Sequence, residues 1–378
     1  MPLKHLAAFF IDQTASSSNH YPIAVFVTGD FCIRSKKVMP TREHFSSQEL
    51  DQVQSHYDIG PVHYAKPLSA GNRRVPKMII TSDQGKFLLK RRPKTKVLLQ
   101  RVAFAHAVQN DLAQVAFPVT SLMTTHDHKT ILQLENNIYE CFRFVPGGRY
   151  DGSAAATVDA GRQLANLHGY LADFACEYEP PTGSFHDSSI VRNCLEKVAD
   201  QQKTSPDARL QETIQALTTL YNNSGASVIR LGFHYWPNHV VHGDWHPGNM
   251  LFAERKLTAV LDFDSTRLAP LVTDVANGVL QFSIVTGSPN PADWPEHLDQ
   301  AKLIQFLYGY LEIIELDRNE LRALPALMIE AMIAEAIVPI AVTGSFGQST
   351  ALDFLKMVLR KAQWINKNRN KLTEAMQS

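Results

Sequence analysis

Residues 239–264 read HVVHGDWHPGNMLFAERKLTAVLDFD, and the order of side chains in this stretch decides how the whole chain is read. A β-prone run, His239 to Val241, leads into His242-Gly243-Asp244. Pro247 and Gly248 then break the chain before Asn249. A short apolar segment and a charged turn follow, and a second apolar run, Leu257 to Leu261, ends at Asp262. The pattern predicts a hairpin that gathers Asp244, Asn249 and Asp262. Phosphoryl transfer needs such a set: one carboxylate to orient an acceptor hydroxyl and take its proton, and oxygen ligands to hold Mg²⁺ on a nucleotide.

The same region allows a rival chemistry, because His234, His239, His242 and His246 crowd into thirteen residues. Zinc sites usually add Cys or a helical His-x-x-x-His pair, and neither occurs here. On a strand, His239 and His242 would point to opposite faces, which argues against a shared ion. The oxygen-donor reading is the stronger one.

The chain of 378 residues is long enough for two lobes with substantial cores, and 44% apolar and 20% charged residues fit a globular enzyme. The four cysteines, Cys32, Cys141, Cys176 and Cys194, form no C-x-x-C and suggest reduced thiols in a cytoplasmic protein. Leu6 to Ile11 is apolar, but Asp12 follows with no small-residue cleavage site, which makes a poor signal peptide. Leu327 to Val342 is interrupted by Glu330 and Glu335, so no membrane partner is expected. Lysine and arginine balance aspartate and glutamate at 37 each, yet Lys66 to Arg101 holds eleven bases and one acid, Asp83. A basic segment facing an acidic remainder suits an anionic ligand on one side and a cationic one on the other. No aromatic-basic interleaving accompanies the charge, and no nucleic-acid partner is expected.

Residues 1–45 carry no legible chemistry and are treated as an N-terminal extension. Ser47, Leu50, Val53 and Tyr57 suggest a short capped helix before Gly60-Pro61. Three strands are predicted at Val62–Pro67, Val75–Thr81 and Lys86–Arg91, followed by a helix from about Val97 to Val115 with Leu98, Val102, Ala105, Leu112 and Val115 in its core face. A hairpin over 130–134 and 138–145 ends at the hinge-like Pro146-Gly147-Gly148. Beyond it the text is mostly helical. Ser153 caps a helix to about Phe174, and further helices are predicted near 188–200, 207–223, 271–285, 297–315, 318–342 and 350–375. The division is therefore 1–45, a nucleotide-binding 46–146, and a helical 147–378 with the catalytic loop and acceptor site.

Asp244 and Asn249 stand at the spacing of the kinase catalytic loop H-R-D-x-x-x-x-N, here H-G-D-W-H-P-G-N. Further matches are the glycine turn at 69–73, Phe87-Leu88-Leu89-Lys90, Gly161 to His168, and Leu261-Asp262-Phe263-Asp264. On these residues the chain resembles the aminoglycoside phosphotransferase and choline kinase superfamily, which includes type II homoserine kinases and CotS-like kinases. The likeness runs from about Leu50 to the 340s. It implies an α+β, bilobal protein-kinase-like fold with a small antiparallel-sheet N-lobe and a mostly helical C-lobe. It also implies transfer of the ATP γ-phosphate to a small-molecule hydroxyl, with ATP and Mg²⁺ as cofactors.

Residue by residue, the resemblance makes Asp244 the base, with Asn249 and Asp262 as Mg²⁺ ligands. Asp264 is open between a second metal and a hydrogen bond to the loop. Lys90 is the phosphate-contacting lysine, while Arg91 and Arg92 are expected to face solvent. Ser69, Gly71 and Asn72 offer backbone N–H groups to phosphate or form an ordinary hairpin turn. Backbone around Tyr139-Glu140-Cys141-Phe142 meets the purine, which nominates Glu140 and Phe142. His242 braces the loop, Asp274 binds loop backbone, and Trp245 and His246 either meet the acceptor or pack. One departure stands out: 97–110 holds no acid to pair with Lys90, so either Asp111 or a residue elsewhere supports it. Acids at Glu312, Glu315, Asp317, Glu320, Glu330 and Glu335 can recruit an amine-bearing acceptor or are plain surface charges. A non-catalytic nucleotide-binding scaffold and a protein-substrate kinase are the alternatives, the latter disfavoured by the short span from Asp262 to Asp274.

Overall fold

A computed structural model of the chain describes residues 44–68, 75–201, 207–288 and 290–377. Ser69, Gly71 and Asn72, and nearly all of the 1–45 extension, lie outside the described residues. Ser46 forms a capping box with Glu49, each side chain bonded to the other's backbone N–H, and starts α1 (Ser47–Gln54). Strands β1 (Val62–Leu68), β2 (Lys77–Ser82) and β3 (Gly85–Pro93) follow as an antiparallel meander. After α2 (Lys96–Gln114), the strands β4 (Leu132–Leu134) and β5 (Asn137–Arg143) complete a five-stranded sheet in the order β1-β2-β3-β5-β4.

Alternation along these strands gives the sheet two different faces. One face carries Met78, Ile80, Phe87, Leu89, Tyr139 and Cys141, which form a core with Val53, Tyr57 and Ile59 beneath α1. The other carries Lys77, Lys90, Arg92 and Glu140 and looks into the cleft between the lobes. Helix α2 belongs energetically to the larger lobe: Phe104, Ala105, Val108 and Leu112 join its core. Val115, expected in that face, is exposed because the helix ends at Gln114.

The larger lobe is built from α3 (Ala154–Tyr170), α4 (Ser189–Gln201), α5 (Ala208–Arg230), two short strand pairs and five later helices, with a further pair of two-residue strands, Ser345–Phe346 and Ser349–Thr350, between the third and fourth of those helices. The strands of the first two pairs are β6 (Asn238–Val241), β7 (Met250–Ala253), β8 (Lys256–Val260) and β9 (Arg267–Pro270), paired antiparallel as β6–β9 and β7–β8. The helices are α6 (Val272–Ser283), α7 (Gln300–Leu311), α8 (Arg318–Thr343), α9 (Ala351–Lys367) and α10 (Arg369–Gln377). The single helix expected over 350–375 is thus two, divided at Asn368, which ends α9. Helices α3 and α7 touch backbone to backbone: a Cβ on Gly161 would fall 1.9 Å from the Phe306 carbonyl oxygen, and one on Gly309 2.0 Å from that of Val158. Only glycine permits that approach.

Helix α8 is long and apolar enough to cross a membrane by length and composition, but 78% of its most apolar window is buried inside the protein. It is a core helix, packed on α4, α5, α6 and α9. The Pro146-Gly147-Gly148 exit from the small lobe is pinned to the large one, because Gly148 and Phe252 of β7 exchange two backbone hydrogen bonds of 2.8 and 2.9 Å.

Candidate active site

The two strand pairs of the large lobe bring the 242–249 loop and the 261–265 turn together. Leu261 N–H donates to the Asn249 carbonyl at 2.8 Å, so Asn249 lies beside the residue that precedes Asp262. The loop itself is held from below by Asp274 on α6, which is almost fully buried. Its carboxylate accepts the N–H of His242 at 2.6 Å and of Gly243 at 2.8 Å, and His168 Nε2 lies 3.4 Å away. Burial opposes the Asp274 charge, but its bond to His168 and the neighbouring histidines keep its pKa below the usual value. Gly243 has φ +75°, and a Cβ there would lie 2.4 Å from the Ser265 carbonyl oxygen, so the loop can close on the turn only with glycine.

His242 is buried, and desolvation lowers its pKa, so it is neutral near pH 7. Its Nδ1 accepts the Asp244 N–H at 3.3 Å and its Nε2 donates to the Leu261 carbonyl at 3.2 Å. A single tautomer satisfies both bonds and ties the loop to the turn. Trp245 is fully buried, edge-on to His242 with centroids 5.5 Å apart, and takes no part in the cleft surface.

Asp244 is held by Asn249, whose Nδ2 donates to the Asp244 carbonyl oxygen at 3.1 Å and to Oδ2 at 3.0 Å. His246 Nδ1 accepts from Gly248 N–H, which leaves the ring proton on Nε2, 3.6 Å from Asp244 Oδ1. The carboxylate is therefore oriented from one side, with Oδ1 left for a further donor. Committing Nδ2 of Asn249 to Asp244 turns its Oδ1 away as a free acceptor.

Asp262 adopts the left-handed conformation, φ 59° and ψ 67°, at the start of the turn Phe263–Ser265. A non-glycine residue rarely sits there, and such strain concentrates at functional sites. The neighbouring Phe263 is buried against His242 at 4.9 Å, which anchors the turn. Lys90 Nζ reaches both acids, at 3.2 Å to Asp262 Oδ1 and 2.9 Å to Asp264 Oδ2.

Arg92 departs from the expectation of a solvent-facing side chain. It is buried and bridges Glu140 on β5 and Asp264, each at 2.5 Å. The reason is its place on the strand: it lies two residues from Lys90 and so shares the cleft face. Arg91, on the opposite face, also leaves solvent and pairs with Glu49 of α1 at 2.8 Å. The question of what supports Lys90 is answered by the same network. Asp262 and Asp264 hold it, Asp111 takes no part, and α2 contributes a histidine where an acid was sought: His106 Nε2 lies 3.2 Å from Glu140 Oε1.

The electrostatics follow from this packing. Burial works against the charge on Glu140, yet Arg92 and then Lys90 outweigh it and bring its pKa down to about 2. Burial is likewise outweighed at Asp264, where Arg92 and Lys90 hold the carboxyl well below its usual range. At Asp262, burial and then the Asp264 charge push the carboxyl up. A divalent cation would reverse that last shift. Asp262, Asp264 and Asn249 could offer hard oxygen donors of the kind that Mg²⁺ takes when phosphates and water supply the rest.

Glu140, nominated for the purine through its backbone, directs its side chain to Arg92 and His106. Phe142 lies in register with Leu88 on the cleft face, its ring edge-on to His106 at 6.2 Å. The Cys141 carbonyl and Arg143 N–H are engaged by Met123 and Ser121 at 2.8 and 2.9 Å. Among the six acids considered for the acceptor, Glu312 pairs with Arg162, and Asp317 and Glu320 cap α8. Glu330 is buried against His186 and the Asp187 N–H. Glu335 alone feels the Asp244 charge; it is buried on α8 and accepts from Gln281 Nε2 on α6. Burial first, and Asp244 second, push its carboxyl well above the ordinary range. Sequence reasoning missed Arg92, His106 and Gln281, all remote from the signature motif.

A cleft between a small antiparallel sheet and a helical lobe, with the 242–249 loop tied to the residue before Asp262, defines a protein-kinase-like phosphotransferase fold. The family comparison makes this specific. Residues 65–326 match the model of the phosphotransferase enzyme family, and the chain belongs to that family. Solved structures agree on the fold. A microcompartment-associated aminopropanol kinase has a TM-score of 0.64 at 13% identity, covering 87% of this chain and 99% of its own. An aminoglycoside phosphotransferase from Alicyclobacillus acidocaldarius gives 0.61 at 14%, covering 91% and 98%. A choline kinase from Cryptosporidium parvum gives 0.56 at 14%, covering 88% and 100%. Among curated proteins nothing matches the chain.

Proposed function

We propose that the protein moves the γ-phosphate of ATP onto a hydroxyl of a small metabolite, with 46–146 holding the nucleotide and 147–378 the acceptor. The observation that carries this reading is a loop on which Asn249 bonds Asp244, tied through His242 to the residue before Asp262, with Asp262 and Asp264 paired to Lys90 of the small sheet.

In this reading Asp244 Oδ1 orients the acceptor hydroxyl and takes its proton as the new oxygen–phosphorus bond forms and the bond to ADP breaks. A carboxylate is a weak base toward an alcohol, so orientation is the larger part of its work in a loose transition state. His246 and Asn249 fix its rotamer. Asn249 and Asp262, with Asp264 beside them, would hold Mg²⁺, which supplies charge neutralisation on the transferred phosphoryl group. Lys90 is positioned to exchange its carboxylate partners for phosphate oxygens. Phe142 and Leu88 offer an apolar flank to the purine.

On the acceptor side, Glu335, which accepts from Gln281, is the acid whose carboxyl the Asp244 charge helps to raise. A substrate ammonium would restore the charge on Glu335, which favours an amino alcohol, amino acid or amino sugar over a neutral sugar. Structural relatives named as an aminopropanol kinase and a spectinomycin phosphotransferase are consistent with that class. The test is an ATP-depletion screen over amino alcohols, homoserine, aminoglycosides, hexosamines and hexoses. Turnover with an amine-bearing acceptor supports the reading; ATP binding without turnover on any hydroxyl compound points to a nucleotide-binding scaffold.

A further inference from the structure

Strands β2 and β3 pair so that Lys77 stands directly opposite Lys90, and β3 and β5 so that Lys90 stands opposite Glu140. Side chains directly opposite each other on antiparallel strands share a face. Lys77, Lys90 and Glu140 therefore form one row on the cleft side, with Arg92 two residues along β3 on the same face. These three cations meet three carboxylates, and the partners are unequally shared. Arg92 takes Glu140 and one oxygen of Asp264, while Lys90 takes Asp262 and the other oxygen of Asp264.

Lys77 is left over. Among the described residues its half-buried side chain makes no hydrogen bond or ion pair. Burial, and after it the Lys90 charge, lower its pKa, while Asp262 and Asp264 act the other way. Like charges directly opposite on a strand pair repel. A half-buried lysine is also more costly than an exposed one when it lacks a partner. Its placement makes sense if an anion enters between the strands and the 262–264 turn, where both lysines can reach it.

We propose that Lys77 is a second phosphate-binding cation, acting with Lys90 on the polyphosphate of a nucleoside di- or triphosphate. This rests on the kinase reading of the cleft and adds to it a residue that the motif pattern does not contain. The test is calorimetric titration of ADP, a non-hydrolysable ATP analogue and adenosine, with Mg²⁺, into the wild type, Lys77→Ala and Lys77→Arg. Lys77→Ala is expected to weaken both nucleotides by about tenfold, the loss of one charge-assisted hydrogen bond, and to leave adenosine unchanged. Lys77→Arg should retain most of the affinity. The melting temperature of ligand-free Lys77→Ala should equal or exceed the wild type's, which separates lost binding from misfolding. Unchanged ADP affinity in Lys77→Ala, or equal loss for adenosine, overturns the inference and leaves the kinase reading intact. A wild type that binds no nucleotide overturns both.

Discussion

The loop over 242–249 and the cleft face of the small sheet are held in opposite ways. The loop is fixed by backbone: Asp274 accepts two of its amides, and Asn249 returns to Asp244 within five residues. The sheet face is fixed by charge between side chains far apart in sequence, as in Lys90 to Asp262 and Arg92 to Glu140 and Asp264. Backbone clamps hold one geometry whatever the ligand does. Ion pairs can trade partners, as the proposed binding of phosphate and metal would require. The difference separates a part that must stay still from a part that must accommodate.

Substitutions can break this contrast, beginning with the largest effect. Asp244→Ala should lower turnover by about 10²–10⁴-fold while ATP affinity, read by calorimetry, stays near wild type; near-normal turnover would remove Asp244 from the mechanism. Asp274→Ala orphans two buried N–H groups and should cost about 3 kcal/mol of stability, seen in denaturant unfolding, with turnover falling alongside. A loss confined to turnover would show that the loop does not depend on this clamp.

Glu140→Ala should cost less, about 2 kcal/mol, because Arg92 keeps Asp264 as partner. It should also raise the Mg²⁺ concentration needed for half-maximal activity, since Arg92 then competes more strongly for Asp264. If Mg²⁺ dependence is unmoved, the ion network does not position the metal ligands.

The smallest effect concerns Glu335. Its carboxyl is raised in the folded state, so its contribution is fully present below the ordinary value of 4.5 and is lost as pH rises toward the folded value. Glu335→Gln should therefore melt higher than wild type in mildly alkaline buffer, with the gap closing as pH falls toward 4.5. A gap that widens on acidification would mean that Glu335 is held charged.

Much of the site was legible because it is nearly contiguous. Asp244, Asn249 and Asp262 fall within nineteen residues, and the turns and apolar runs between them dictate a hairpin. Helix and strand positions followed from periodicity and caps, such as Ser153 before α3. Arg92 was misread because a charged residue on a strand looks solvent-facing until the opposing surface is known. Its partners lie 48 and 172 positions away. Gln281 and Glu335 sit in apolar helices whose text gives no sign that the two are buried against each other.

By itself, the sequence determined the family motif and the order of the small sheet and the helical part, because local pattern sets secondary structure and short spacing sets the loop. Tertiary structure decided which charges are paired, which acids are buried, and that Lys77 stands across from Lys90 with no side-chain partner among the described residues. Those are matters of strand register and helix packing, and long-range electrostatics has no period that a linear text can display.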